Sequence, residues 1–161
     1  MNPEMKEYLA KRSASAFKRL WAATEGVTEE QARVTLRPNW VRQLWGVGLD
    51  GSLAGVLLHV AAWKAVVLEG VLTGRFPSEE AVKPTEPGWE GLRQWLRCSH
   101  EQLLQWMDAR TPEQLDQPIT WTDFQGPAAT LFTHLLEHDR YHTGQLQLLR
   151  QYLGLPGTEV D

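Results

Sequence analysis

The chain has 161 residues, a formal net charge of −4 and one cysteine. This length predicts a single domain, residues 1–161, with a substantial core. The negative charge predicts no nucleic-acid partner, because phosphate binding needs a basic surface. The N-terminus lacks the continuous apolar segment of a signal peptide, and one cysteine excludes an intramolecular disulfide, so we expect a cytoplasmic protein.

The N-terminal part of the chain predicts a long helix followed by a short one. Residues 4–22 carry a moderate apolar face at helical spacing. The chain then turns through Gly26. Thr28 and Gln31 have the spacing of a capping box, which predicts that a short helix begins there.

The connection over residues 34–51 contains tryptophan and arginine side chains among turn residues. Trp40 and Arg42 either pack over the end of the helices or line a binding site, since aromatic walls with an arginine suit an anionic thiol cosubstrate. Trp63, in the next helix, is a further candidate contact for a bound cofactor.

Residues 52–72 are apolar on nearly every side, which is typical of a central bundle helix or of a helix that crosses a membrane. Lys64 and Glu69 interrupt the apolar run, so we expect no membrane span. Burying an imidazole in such a helix without a partner is costly. His59 is therefore a candidate metal ligand.

Three prolines predict a loop over residues 74–88, with at most one helical turn. A third long helix follows over residues 90–109. His100 lies on its apolar side and is either a hydrogen-bonded core histidine or a fourth ligand or catalytic base. Cys98 faces away from the core, so we assign it as neither nucleophile nor ligand.

The segment before the last helix predicts a second short helix and then an extended or looped stretch. Thr111 and Gln114 form another capping box, with proline at the first helical position. Residues 117–127 lead to the last helix, and Asp123 is interpreted as a turn residue or cap.

The last long helix, residues 130–153, carries three of the five histidines at four-residue spacing. This spacing places His134, His138 and His142 on one side of the helix. The centre of the apolar stripe runs between His138 and His142, and His134 lies at its edge. Two inward imidazoles one turn apart can direct ring nitrogens at one ion, and His59 is the best candidate for the third ligand.

Three further polar residues on this helix are not assigned as metal ligands. Gln145 lies near the same stripe and either orients a substrate group, as a candidate catalytic residue, or supports a metal ligand from outside. Glu137 and Asp139 lie on opposite sides of His138 and are interpreted as a solvated flank.

Histidines that face the core also have explanations other than a three-histidine metal site. Polar residues can interrupt a core face and find hydrogen-bond partners there, so a purely structural bundle without metal is a third hypothesis. A ferritin-like di-iron site needs Glu-x-x-His on two helices, and the nearest match is Asp139-x-x-His142. The HExxH pattern is absent, and a bis-histidine haem would leave one histidine of the pair unexplained.

The segment HLLEHDRYHTGQLQLLRQYLG, together with the earlier LLHVAAW, resembles the DinB/YfiT-like superfamily of bacterial four-helix-bundle metalloproteins. Its most specific part is HxxxH followed by GQ, here His138, His142, Gly144 and Gln145. Four long helices already predict an all-α bundle. The resemblance adds up-down-down-up topology, with short extra helices in the connections. It also implies a divalent ion, zinc or nickel, held by His59, His138 and His142.

Some relatives in that superfamily are thiol-dependent enzymes. The resemblance thus implies a metal-dependent transferase, joining a low-molecular-weight thiol to an electrophile, or else a hydrolase. Three neutral histidines leave the ion an open position where water or a thiol loses its proton more readily. The competing hypothesis is a non-catalytic metal-binding or stress-response protein that forms a homodimer through exposed apolar helix surface.

Overall fold

The computed structural model describes residues 1–35, 50–121 and 124–158. Within these ranges the chain forms four long helices, three one-turn helices and one pair of short strands, so the predicted all-α class is confirmed. In chain order the elements are α1 (Pro3–Ala22), α2 (Glu29–Ala32), α3 (Leu53–Thr73), α4 (Glu79–Val82), α5 (Trp89–Asp108), α6 (Pro112–Leu115), β1 (Pro118–Trp121), β2 (Phe124–Pro127) and α7 (Ala128–Tyr152).

Side-chain caps begin several helices where the sequence predicts them. The Thr28 hydroxyl accepts a hydrogen bond from the backbone N–H of Gln31, and the Gln31 side chain accepts one from the backbone N–H of Thr28. Thr111 and Gln114 form the same arrangement at α6. Ser52 caps α3. Both predicted capping boxes are therefore confirmed.

The stretch predicted as extended or looped forms an antiparallel hairpin before α7. β1 pairs with β2, and Trp121 lies opposite Phe124 in the register. Ile119 and Trp121 are half-buried, whereas the residues between and before them are exposed, as the two-residue period of a strand requires. The hairpin thereby carries Trp121 to the side of α3, where its ring lies 4.5 Å from that of Trp63.

Buried apolar side chains form two clusters along the four long helices. The Leu57 cluster contains the N-terminal halves of α3 and α5 and the C-terminal parts of α1 and α7. The Met107 cluster contains the C-terminal halves of α3 and α5 and the N-terminal parts of α1 and α7. Helix α3 packs against α5 and α7, and α1 packs against the same two helices.

A polar layer separates the two clusters. On α5 and α7 its residues lie, along the chain, between those of the two clusters, and all its members are buried. Because buried polar groups need partners, this layer is where a specific interaction is expected. Its members are Ser13, His59, Lys64, Ser99, His100, Asp139, His142 and Gln145.

Helix α3 is long and apolar enough to cross a membrane, and it is the one helix in the described ranges that meets this test. In the structure 61% of that apolar window is buried inside the protein. Burial on several sides is typical of a core helix, which is apolar on nearly every side because other helices surround it. The packing of α3 against α5 and α7 therefore explains its composition without a membrane.

Candidate metal centre

Three imidazoles from two helices converge at the polar layer, of which His59 and His142 are members and beside which the half-buried His138 lies. The Nε2 atom of His138 lies 3.0 Å from Nε2 of His59 on α3 and 3.1 Å from Nε2 of His142 on α7. The potential ligand atoms of the three residues all lie within 4.8 Å of one another. The structure thus brings together the three residues predicted as candidate ligands, His138 and His142 from their helical spacing and His59 from its place in an apolar helix.

The outer nitrogens of two of these rings are fixed by acceptors. Nδ1–H of His59 donates to Oε2 of Glu79 on α4 at 2.9 Å. Nδ1–H of His142 donates to Oε1 of Gln145 at 2.6 Å, and the Gln145 amide donates to the Tyr141 hydroxyl. Acceptors at Nδ1 fix the tautomer whose Nε2 lone pair faces inward, as in many metal sites.

Protons cannot satisfy the three inner nitrogens together. With their Nδ1 protons directed outward, His59 and His142 both present lone pairs to His138. Nδ1 of His138 is itself buried without a hydrogen-bond partner among the described residues. One Nε2 proton on His138 can therefore satisfy one neighbour at most, whereas a cation satisfies all three lone pairs.

The spacing of the nitrogens also suits a shared ion. Metal–nitrogen bonds of about 2.0–2.1 Å correspond to nitrogen separations of roughly 2.9–3.4 Å at coordination angles between octahedral and tetrahedral values. The separations from His138, 3.0 and 3.1 Å, fall in that range. The donor set of three imidazoles suits zinc, nickel, copper or iron.

Burial keeps His138 and His142 neutral, the form in which imidazoles bind metals. Desolvation, and next the neighbouring His142, lower the pKa of His138 to about 2. Desolvation, and next His59, lower the pKa of His142 to about 4, although Gln145 and Glu79 oppose this shift. Near neutral pH both rings therefore offer lone pairs without first losing a proton.

A buried ion pair joins α3 to α7 beside the imidazoles. Nζ of Lys64 lies 2.8 Å from the carboxylate of Asp139, and the two side chains are 1% and 2% exposed. The interpretation of Asp139 as a solvated residue is therefore wrong, because α7 packs against both α1 and α3 and buries a wider arc than one apolar stripe. Glu137, on the other side of His138, is exposed as predicted.

A cavity of about 490 Å³ opens beside His138. The Trp63 ring stacks against the His138 ring, with centroids 5.5 Å apart, and Trp121 packs against Trp63 from the hairpin. Trp63, a candidate contact for a cofactor, is thus next to the imidazoles. The lining residues are Trp63, Trp121, Leu131, His134, Glu137, His138 and Tyr141.

Two residues considered for catalysis lie in different surroundings. Gln145 is buried and contacts His142 and Tyr141, which favours the supporting interpretation. His100 stacks on Phe17, with centroids 3.7 Å apart, and is not part of the three-imidazole group. Cys98 is exposed, as its helical position predicted, and His134, placed at the edge of the apolar stripe, is exposed too.

Several predicted residues lie outside the described ranges. Trp40 and Arg42, considered as contacts for a thiol, fall in the segment between residues 35 and 50, and Asp123 falls between β1 and β2.

Sequence reasoning missed three contributors to the site. Glu79 was not predicted because it lies 20 residues along the chain from its partner, His59. Lys64 and Asp139 were treated separately, although a lysine in an apolar helix needs an acidic partner, which is the signal that could have linked them.

The sequence and the fold both resemble those of known proteins. Residues 14–146 match the model of the DinB superfamily, and the chain therefore belongs to that superfamily, which confirms the resemblance. No curated protein matches the sequence significantly. A crystal structure of the colibactin self-resistance protein ClbS in complex with a dsDNA is similar, with a TM-score of 0.67 and 20% identity over 91% of this chain and 95% of that chain. At this identity the similarity shows a shared fold.

The predicted absence of a nucleic-acid partner is contradicted by that complex, in which a protein of similar fold is bound to duplex DNA. The prediction relied on the net charge of −4, which sums over the whole chain. Phosphate binding instead depends on local groups of basic side chains. A negative net charge therefore does not exclude nucleic acid.

Because His100 is buried, we expect the stability of the fold to decrease in acid. Burial, and next the nearby Lys64, lower its folded-state pKa to about 2, whereas an unfolded histidine titrates near pH 6.5. Between these values the unfolded chain binds one more proton, so stability falls as pH falls through this window, by up to about 1.4 kcal/mol per pH unit for this residue. Urea unfolding of metal-free protein between pH 5 and 7 should therefore show a shallower pH dependence for His100→Leu than for wild type. Parallel curves would contradict this assignment.

Proposed function

We propose that the chain is a metal-dependent transferase that joins a low-molecular-weight thiol to an electrophile, with His59, His138 and His142 holding zinc or nickel. The observation that carries this proposal is the convergence of three Nε2 atoms that protons cannot satisfy. Membership of the DinB superfamily supports it. We further propose that the enzyme is one cytoplasmic domain over residues 1–161.

The same proposal includes an up-down-down-up four-helix bundle. Two facts support this topology. Helices α1 and α7 pass from the Met107 cluster to the Leu57 cluster, and α3 and α5 pass in the opposite direction. Each of the four also contacts two of the others. In this arrangement His59 lies on α3, which runs antiparallel to α7, and α7 carries His138 and His142.

His59, His138 and His142 would hold a divalent ion, which when bound would supply Lewis acidity and so lower the pKa of a thiol or water. The thiol must come from a cosubstrate, because the chain's single cysteine, Cys98, is exposed on α5 away from the imidazoles.

The transfer conserves atoms and charge. The thiol sulfur forms a bond to the electrophilic carbon, the bond from that carbon to its leaving group breaks with the electron pair, and the thiol proton passes to water. The protein's own residues hold the reaction site in place: Glu79 and Gln145 fix two of the rings, and the Lys64–Asp139 pair ties α3 to α7. A fixed constellation reduces the entropic part of the barrier.

Metal content and activity of the same samples test this proposal. Protein purified without an affinity tag should contain about one equivalent of metal. His138→Ala and His142→Ala should each lose most of it, because each removes one of three ligands. His134→Ala, one turn away on the exposed side of α7, is the matched control and should keep its metal.

Turnover is measured with a panel of low-molecular-weight thiols and electrophiles. Activity should disappear on chelation, return on adding zinc or nickel, and be absent from the two ligand variants. Transfer that is unchanged after metal removal, or its absence across the panel in metal-loaded protein, would overturn the transferase.

Contact with nucleic acid is a second candidate function, favoured by a local basic groove. Arg12 and Arg19 on α1 and Arg140 on α7 line a groove of about 320 Å³, and no acidic residue of the described ranges lines it. Guanidinium groups bind phosphate well. The similar fold of ClbS, solved in complex with a dsDNA, supports considering this surface.

Salt-dependent binding of a fluorescein-labelled DNA duplex tests this second candidate. The slope of log K against log salt should fall by about one in Arg140→Gln, because one phosphate contact is lost. Arg75→Gln, an equal charge change at an exposed position away from the groove, should leave the slope unchanged. Absence of binding at low salt, or equal slopes in the two variants, would exclude the groove as a DNA site.

A further inference from the structure

The cavity beside His138 has walls that are mostly aromatic and aliphatic. Trp63 and Trp121 lie with ring centroids 4.5 Å apart, and Phe76 stacks behind Trp121 at 5.2 Å. Leu131 completes the apolar lining. Large rigid rings of this kind offer much contact area at low entropic cost, and they favour flat apolar ligands.

The cavity borders the proposed reaction centre at His138. His138 is one of its lining residues, and the Nε2 atom of His138 is the central one of the three converging nitrogens. The volume, about 490 Å³, lies within the range of small-molecule sites. A molecule of one or two rings in this space is therefore held next to the centre.

The charge at the rim selects against anions. The Glu137 carboxylate lines the cavity and is 67% exposed, with His134 3.7 Å away. No lysine or arginine of the described ranges lines the cavity. A carboxylate beside a largely apolar surface repels an anionic ligand and leaves a neutral one unaffected.

We propose that this cavity binds the electrophile and takes a neutral, apolar, aromatic one. Trp63 and Trp121 determine specificity by stacking on its rings, and Glu137 discriminates against negatively charged analogues. This inference rests on the proposed transferase activity, which identifies the bound molecule as the electrophile. The preference for a neutral aromatic ligand is a property of the cavity alone.

Two fluorescent probes with the same ring systems test the preference. N-phenyl-1-naphthylamine is neutral, and 8-anilinonaphthalene-1-sulfonate differs from it by one sulfonate. Metal-free wild-type protein, in which no bound cation offsets the Glu137 carboxylate, should bind the neutral probe about tenfold more tightly or better, which corresponds to about 1.4 kcal/mol. Glu137→Gln should strengthen binding of the sulfonate several-fold without changing binding of the neutral probe.

Tryptophan variants locate the bound probe. Trp63→Ala and Trp121→Ala should each weaken binding of the neutral probe about tenfold, because each removes one stacking wall. Trp21→Ala, on α1 and outside the cavity, is the matched control and should bind like wild type. If Trp63→Ala fails to fold, Trp121→Ala decides the matter, since Trp121 lies on the hairpin and not in a core helix.

The outcomes separate this inference from the transferase. Equal affinity of the metal-free wild-type protein for the two probes, or unchanged binding of the neutral probe in Trp121→Ala, overturns the inference. The expected probe pattern in a protein that binds no metal would sustain the cavity preference and overturn the transferase.

Discussion

The structure depends on a contact that is unfavourable in the protein alone: three imidazole nitrogens directed at one another inside a helical core. Two of the rings donate their outer protons to Glu79 and Gln145, so their inner lone pairs both face His138. Buried polar atoms without partners cost free energy. A shared divalent cation removes that cost, and binding energy at such a site also stabilises the fold.

The surrounding elements follow from this constraint. The two apolar clusters hold the long helices together at either end, and the polar layer between them carries the charged and titratable side chains. The Lys64–Asp139 pair ties α3 to α7 within this layer, close to the rings that the two helices contribute. The one-turn helix α4 brings Glu79 to His59, so a segment that looks like a simple loop supports the site.

Local signals were sufficient to predict the long helices and to place His138 and His142 on one face of the last of them. Capping boxes and apolar periodicity depend on residues a few positions apart, and the HxxxH spacing places two rings on one face whatever the tertiary structure. Long-range partners could not be predicted in this way. Glu79 meets His59 only after the chain has folded, and Asp139 is buried because two helices pack against α7. The β1–β2 ladder was likewise missed, since a four-residue strand with a proline gives little signal.

X-ray absorption at the metal edge, on protein purified without a tag, tests the three-imidazole centre most directly. We expect a first shell in which three ligands show the multiple scattering of imidazole, at about 2.0–2.1 Å if the metal is zinc. His59→Ala should lose most of its metal, and after reloading with excess zinc its shell should contain two imidazoles instead of three. A shell of oxygen ligands without imidazole scattering, or one unchanged by replacing His59, would show that the metal lies elsewhere and that these histidines are core polar groups.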